Sequence, residues 1–465
     1  MRAAAVTAVV IVAAVLRVLA ARGDLWLDEI WTLRLLQGVR SPWDVFAIHH
    51  DNNHLLNSLY LYLLGERDRE LWYRAVAVAS GIGTVALLGY APVRRDFPAA
   101  FTTCLLAAVS YPLVLFSSEA RGYAPALFFA VASYHLLQAW WRRRTLARLL
   151  LFWAAALLGL LSHLTFAYVA LALFVWSCVR ETARPGRTPR ALVELLRCHG
   201  VPLLFTGLLY VFFARGMVFG RGPVYDAFQV VRGALLLATG AHGGEVVAAL
   251  GVLAAFAASL AGLVALERRG SDAWVFLLAV LVHAPACILL LATPTYFYDR
   301  YLLACFPFFY ILAGHALAAA WRGAWPGKAL FAVVLLLFVA GNAPRIAALL
   351  ALGRGGYHAA LLYMAEHTAG GEISVASDND TRNEKLVWFY QRRLPEGKRI
   401  VYHDHEHLPE GGPEWLITHS QDLEAVPQDT LRVQGSRYTL ARSYRYSGIS
   451  GWHWFLYHKD AGARR

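Results

Sequence analysis

The chain has 465 residues, of which 58% are hydrophobic and 16% charged, and its mean hydropathy is +0.46. Soluble domains carry roughly 45–50% apolar residues and about 25% charge. These values exclude an ordinary soluble fold and intrinsic disorder, and five Cys exclude a disulfide scaffold. The net charge of +12 lies mostly in short loops between apolar runs, as membrane topology requires. No basic, aromatic-interleaved groove points to nucleic acid. The composition therefore predicts a polytopic α-helical membrane protein with a small C-terminal α/β domain.

Apolar runs of membrane-spanning length fall near 3–21, 71–91, 99–117, 122–141, 146–161, 163–179, 199–214, 245–266, 273–292, 301–320 and 328–344. They predict about eleven spans. The first run resembles a signal peptide, with Arg2 before it and Leu19-Ala20-Ala21 after it. An uncleaved anchor is the better reading, because cleavage would leave a chemically rich loop at a free N-terminus. Arginines follow alternate spans: Arg94 and Arg95; Arg142, Arg143 and Arg144; Arg180, Arg184, Arg187, Arg190 and Arg197; Arg268 and Arg269; then Arg322 with Lys328. The positive-inside bias makes those loops and the N-terminus cytoplasmic. The other loops and the tail then face outward. The first outer loop also carries Arg22, Arg34, Arg40, Arg67 and Arg69, read as functional or structural charges.

That loop, 22–70, opens Gly23-Asp24-Leu25-Trp26-Leu27-Asp28-Glu29-Ile30-Trp31 and continues with His49-His50-Asp51-Asn52-Asn53-His54. Trp26 and Trp31 suit a membrane–water interface. Two adjacent acids on a helix point about 100° apart and play different parts. One can act as a base on a hydroxyl, its pKa raised by apolar neighbours, while the other orients it or pairs with a cation. The alternative is a helix start in which both acids complement the dipole.

Ser117-Ser118-Glu119-Ala120-Arg121-Gly122-Tyr123 lies at the next outer mouth. Glu119 and Arg121 form a local ion pair there, or Arg121 offers its planar fork to a phosphate. Ser162-His163-Leu164-Thr165 caps a helical hairpin, and Thr295-Tyr296-Phe297-Tyr298-Asp299-Arg300-Tyr301 opens the tenth span. The loop 214–244 adds Arg215, Arg221, Tyr225, Asp226, Arg232 and His242. No Walker A motif, dinucleotide fingerprint, Gly-x-Ser-x-Gly elbow or His-Glu-x-x-His pair occurs. Gly81-Ile82-Gly83 sits inside a span and reads as helix packing.

Charge becomes dense and mixed near 345, dividing the chain into a membrane part (1–344) and a tail (345–465). Gly341 to Gly356 reads as a linker. Helices are expected over 357–369 and 380–393. Strands are expected over 372–377, 398–403, 414–419, 437–446 and 452–458. All five Cys (Cys104, Cys178, Cys198, Cys287, Cys305) lie in or beside the membrane part. His403-Asp404-His405-Glu406-His407 is either a strand face able to hold a metal or a solvated loop before Pro409. The loop is preferred.

At Asp28-Glu29, Glu119-Ala120-Arg121-x-Tyr123, His163 and Arg300-Tyr301-Leu302-Leu303, the chain resembles the GT-C superfamily of integral-membrane glycosyltransferases. Within it the chain looks most like the bacterial family-39-like enzymes related to protein O-mannosyltransferases and lipid A aminoarabinose transferases. The resemblance covers about the first 345 residues. It implies a bacterial inner-membrane enzyme that moves a hexose or pentose from a polyprenyl-phosphate donor to a glycan, lipid or protein hydroxyl, with inversion. It implies Asp28 as general base and Glu29 as acceptor or cation ligand. Arg121 and Arg300 would receive the donor phosphate, with His54, Glu119, Tyr123, His163 and Tyr301 contacting substrate. The family's His-Pro-Pro-like segment is replaced by Asp51-Asn52-Asn53-His54, which puts the donor contacts of that loop in doubt. No metal or other cofactor is expected, because an arginine-lined site makes a metal unnecessary. A lipid-linked saccharide flippase would place charge inside the spans, whereas these spans are nearly free of Asp, Glu and Lys. A receptor or assembly scaffold would depend on the tail and not on Asp28.

Overall fold

A computed structural model describes residues 1–183, 188–220, 224–283, 285–287 and 298–460; for 188–190 it describes the backbone only. Arg184, Arg187, Arg221, Thr295, Tyr296, Phe297 and the end of the ninth run therefore lie outside the described residues, as does the Arg190 side chain. The chain forms two compact units. One comprises Met1–Leu19, Val39–Glu66 and Leu71–Pro344; the other comprises Ala20–Gly38, Arg67–Glu70 and Arg345–Arg465.

The first unit is helical. Its elements are α1 (Arg2–Ala20, ending in the second unit), α3 (Leu55–Leu64), α4 (Glu70–Tyr90, starting in the second unit), α5 (Phe97–Val109), α6 (Tyr111–Phe116) and α7 (Tyr123–Arg142). They continue with α8 (Leu146–Ser162), α9 (Phe166–Thr182), α10 (Thr188–Phe212), α11 (Ala227–Thr239), α12 (Glu245–Glu267), α13 (Ala273–Leu278), α14 (Phe306–Arg322) and most of α15 (Trp325–Leu352). A short helix α2 (Leu27–Leu36) belongs to the second unit. Among the described residues, six helical segments are long and apolar enough to cross a membrane, and five apolar helices are shorter. About eleven spans were expected from hydropathy.

The predicted 99–117 run is broken at Ser110, which is extended, and Pro112 lies in the first turn of α6. Proline has no N–H and clashes with the carbonyl four residues back. The freed backbone groups cannot turn to water in a bilayer, so side chains answer them. The Arg17 guanidinium donates to the carbonyls of Ala107 (3.1 Å) and Ala108 (3.2 Å), and the Asn342 carbonyl oxygen accepts from Tyr111 N–H (2.7 Å). Asn342 had been read as part of a linker. The stretch is instead helical through Leu352, with Pro344 inside α15. Gly81 and Gly83 do serve packing: a Cβ at Gly81 would lie 2.2 Å from Ser117 Oγ, and one at Gly83 2.8 Å from the Phe128 ring.

Several arginines in the expected cytoplasmic loops also tie helices together. Arg144 pairs with Glu181 (2.7 Å) and Glu194 (2.9 Å). Arg180 pairs with Asp272, and Arg269 and Arg322 both pair with Asp96.

The second unit holds a six-stranded sheet of order β2-β1-β3-β6-β5-β4. Its strands are β1 (Glu372–Ser377), β2 (Arg399–His403), β3 (Trp415–Ser420), β4 (Thr430–Val433), β5 (Ser436–Tyr444) and β6 (His453–Lys459). β2, β1 and β3 run parallel, and β3, β6, β5 and β4 are joined antiparallel. The strand β4 had no counterpart among the expected elements. It is four residues long, and its pattern is too short to stand out from a loop. Helices α16 (Tyr357–His367) and α17 (Asp380–Tyr390) accompany the sheet. The buried amide of Asn383 accepts from the indole N–H groups of Trp454 (2.8 Å) and Trp452 (3.3 Å). In the His-rich stretch, His405 pairs with Asp380 (2.6 Å), His407 with Asp404 (2.8 Å), and His403 with Ser374 (3.0 Å).

Candidate functional site

In the first unit, three chain breaks converge on one cluster. His54 is the N-cap of α3, Gly122 precedes α7, and His163 is the C-cap of α8. Gly122 is required by space: a Cβ there would lie 1.7 Å from the Ser162 carbonyl oxygen and 2.9 Å from His54 Cβ. That close approach lets Gly122 N–H donate to His54 Nδ1 at 2.8 Å. Thr165 N–H donates to His163 Nδ1 at 3.1 Å, with the Thr165 hydroxyl 2.8 Å from the same nitrogen. The Asn57 amide donates to the Ala120 carbonyl at 2.8 Å, fixing α3 to the same loop.

Around these anchors the aromatic rings pack. Tyr123 lies 4.4 Å from His163 and 5.4 Å from His54, and the two imidazoles are 4.7 Å apart. Tyr301 is 6.3 Å from His163. Arg121 lies over Tyr123 at 5.3 Å, and Arg300 lies over Tyr298 at 4.6 Å and Tyr301 at 6.0 Å. Glu119 is fully buried on the same loop, and its carbonyl accepts from Arg121 N–H. His54, Arg121, Tyr123, His163, Arg300 and Tyr301 are thus brought together, with Glu119 two residues from Arg121.

Burial and the two guanidinium charges act on the histidines in the same direction. Burial, then Arg121 and Arg300, push His163 down to about 3. Burial, then Arg121, His163 and Arg300, hold His54 well below the ordinary imidazole range. Both effects disfavour the charged form of either ring.

The cluster extends through Tyr298 and Asp51, which the sequence reading had not assigned to the site. Tyr298 lies 5.6 Å from Tyr301 and 5.9 Å from Tyr225. Asp51 accepts from Gly220 N–H at 3.2 Å and lies 2.9 Å from His50 Nδ1. Burial alone would raise Asp51, but His50, Gly220 N–H and Arg121 outweigh it and hold the carboxyl below its usual range. The signal for Tyr298 was its spacing in Tyr298-Asp299-Arg300-Tyr301. Asp51 had none beyond lying beside His50 and three residues before His54, because its Gly220 N–H partner comes from a distant loop.

Asp28 and Glu29 belong to the second unit. They occupy the first turn of α2, where Glu29 is fully buried and its carboxylate accepts from Trp26 N–H at 3.1 Å. Asp28 is partly exposed. The residues before α2 are held by the tail elements. Tyr390 Oη accepts from Leu25 N–H at 2.6 Å, and Asp24 accepts from His358 N–H at 2.9 Å. Trp26 is buried, and Trp31 faces the Lys385 ammonium at 4.7 Å. The two tryptophans expected at a membrane interface therefore pack within this unit, a cover that hydropathy cannot reveal. Among the described residues, no group of three or more His, Cys, Asp or Glu side chains is placed to hold a metal ion.

No family model and no curated protein sequence matches the chain. Solved structures do. The oligosaccharyltransferase of Archaeoglobus fulgidus in its apo form matches with TM-score 0.52 at 12% identity, over 85% of this chain and 60% of that one. ArnT from Cupriavidus metallidurans, an aminoarabinose transferase, matches in its apo state with TM-score 0.51 at 16% identity, over 85% of each chain. ArnT bound to undecaprenyl phosphate matches with TM-score 0.52 at 14% identity, over 98% of each chain. The chain shares the fold of these two proteins. The chain spans about 60% of the length of the archaeal oligosaccharyltransferase and nearly the full length of ArnT.

Proposed function

We propose that the chain is a glycosyltransferase that moves a hexose or pentose from a polyprenyl-phosphate donor to an acceptor hydroxyl, with inversion, on the outer face of a bacterial inner membrane. The acceptor is a glycan, lipid or protein. The N-terminus is cytoplasmic, the tail is outside, and about eleven segments cross or enter the bilayer. The observation that carries the reading is the union of the buried Arg121 and the half-buried Arg300 with two buried imidazoles and three tyrosines. Such a group supplies fixed positive charge where a phosphate leaving group gains negative charge, and low dielectric strengthens the effect. The GT-C fold supports it, since one neighbour of that fold is described bound to undecaprenyl phosphate.

In this reading Arg121 and Arg300 receive the donor phosphate. Tyr123, Tyr301, His54 and His163 line the donor, and Glu119 supports the Arg121 loop. Asp28 is the general base on the acceptor hydroxyl. Glu29, tied to Trp26 N–H, positions the first turn that carries it. The chemistry uses no metal.

The test is mass spectrometry of lipid-linked sugars in cells lacking the chain. A polyprenyl-phosphate sugar accumulates, and wild type clears it while Asp28→Asn does not, with a transfer loss of about 10²–10⁴-fold for a missing base. An unaltered lipid-sugar pool removes the transferase reading. Full clearance by Asp28→Asn removes the base.

A further inference from the structure

Both histidines of the cluster have their tautomer fixed by the backbone. A peptide N–H can only donate, so the ring nitrogen it meets must present a lone pair. Gly122 N–H meets Nδ1 of His54 at 2.8 Å, and Thr165 N–H meets Nδ1 of His163 at 3.1 Å. In each neutral ring the proton then sits on Nε2. Neither ring can pick up a second proton without setting an N–H against an N–H. The rings are 4.7 Å apart, packed on Tyr123, with Tyr301 and Thr165 beside His163. The charges acting on them are those of Arg121 and Arg300.

Resting on the donor-phosphate reading above, we propose that His54 and His163 are a pair of fixed Nε2–H donors that bind the phosphate oxygens of a polyprenyl phosphate, and that neither transfers a proton. Two neutral donors add to two guanidinium groups without adding charge. The site therefore holds a phosphate monoester or diester and neither titrates nor repels a protonated leaving group across the neutral range. The histidine tautomers and the Gly122 constraint form one device. The glycine lets its loop approach His54 closely enough to set the ring, and Thr165 does the same for His163 one turn of chain past Ser162.

The experiment uses the full chain in detergent micelles, with farnesyl phosphate as the lipid probe. Inorganic phosphate and farnesol serve as its two halves. Asparagine places an amide near the Nδ1 position and glutamine near Nε2. His54→Gln and His163→Gln are therefore expected to keep farnesyl phosphate affinity within about 3-fold, while His54→Asn and His163→Asn lose about 10-fold or more, the range for a hydrogen bond to a charged group. Farnesol binding is unchanged by either substitution. Inorganic phosphate follows the same variant order but binds more weakly; equal affinity for the two phosphates overturns the lipid assignment. The wild-type to Asn-variant affinity ratio stays flat from pH 5.5 to 8, and a step near the ordinary imidazole pKa overturns the fixed-donor role.

Nitrogen-15 histidine spectra of the wild type, assigned by the variants, show two rings with the proton on Nε2 throughout that range. An Nδ1–H signal for either ring overturns the proposal without relying on any variant's stability. If farnesyl phosphate binds with this pattern but no sugar is transferred, the transferase reading fails and the donor pair stands. If sugar is transferred and Gln and Asn variants lose affinity alike, only the donor pair fails.

Discussion

The helical unit and the sheet unit meet one requirement, that every buried backbone N–H and C=O finds a partner, in different ways. In the sheet unit the strand ladder joins all six strands, and the buried Asn383 amide serves two indole side chains. In the helical unit the helices satisfy themselves except where they break, and at each break a side chain completes the account. Arg17 and Asn342 do so at Ser110–Pro112, His54 at Gly122, and His163 at Thr165. The lesson is that in a bilayer a helix break gathers polar side chains, and at the breaks beside His54 and His163 those groups belong to the candidate site. In the sheet unit the buried polar groups fix packing, as Asn383 does between two indoles, or hold a helix start, as Glu29 and Tyr390 do before α2.

This contrast is breakable by mutation. The largest effect is expected at Gly122→Ala, whose methyl would overlap the Ser162 carbonyl. The loop must move, costing more than about 3 kcal/mol. Thermal melting in detergent and loss of farnesyl phosphate binding both report it, and a variant with normal melting and binding would deny the close approach. Next is Arg121→Lys, expected to lower transfer about 10²–10³-fold, because a single ammonium cannot reproduce a planar fork. Measuring turnover against melting temperature separates this from unfolding. A fully active lysine variant would return Arg121 to an ion-pair role.

In the sheet unit, Asn383→Ala strands two indole N–H groups and is expected to cost about 2–4 kcal/mol, with folding affected and the binding of farnesyl phosphate retained. Denaturation monitored by tryptophan fluorescence reads it. Loss of binding without loss of stability would make Asn383 part of the chemistry. The smallest effect is expected at Glu29→Gln, which keeps an acceptor for Trp26 N–H and should cost no more than about 1 kcal/mol. A transfer loss of 100-fold with unchanged melting would move Glu29 from positioning to chemistry.

Much of this was legible in the residues. Hydropathy marked most long helices, and period-two patterns marked five of the six strands. The polar stretch 49–54 and the polar mouths at 117–123, 162–165 and 298–301 named six residues that the structure joins: His54, Arg121, Tyr123, His163, Arg300 and Tyr301. The break at Ser110 escaped because both halves are equally apolar, and a hydropathy average does not weigh one missing N–H. The parts played by Arg17 and Asn342 escaped for the same reason: their partners are carbonyls and amides, which have no letter in the sequence.

Composition and pattern alone determined that the chain is a membrane protein with a folded α/β tail, since apolar run length and charge density are local properties. Only the tertiary structure decided which nitrogen of His54 and His163 bears the proton, that Gly122 admits no side chain, and that Glu29 caps a helix. The His54 tautomer and the Gly122 constraint depend on contacts between segments far apart in the chain, while His163 and Glu29 are set by local backbone N–H groups whose placement no letter states. Side-chain letters state what a group can do, while the backbone brought against it decides what it does.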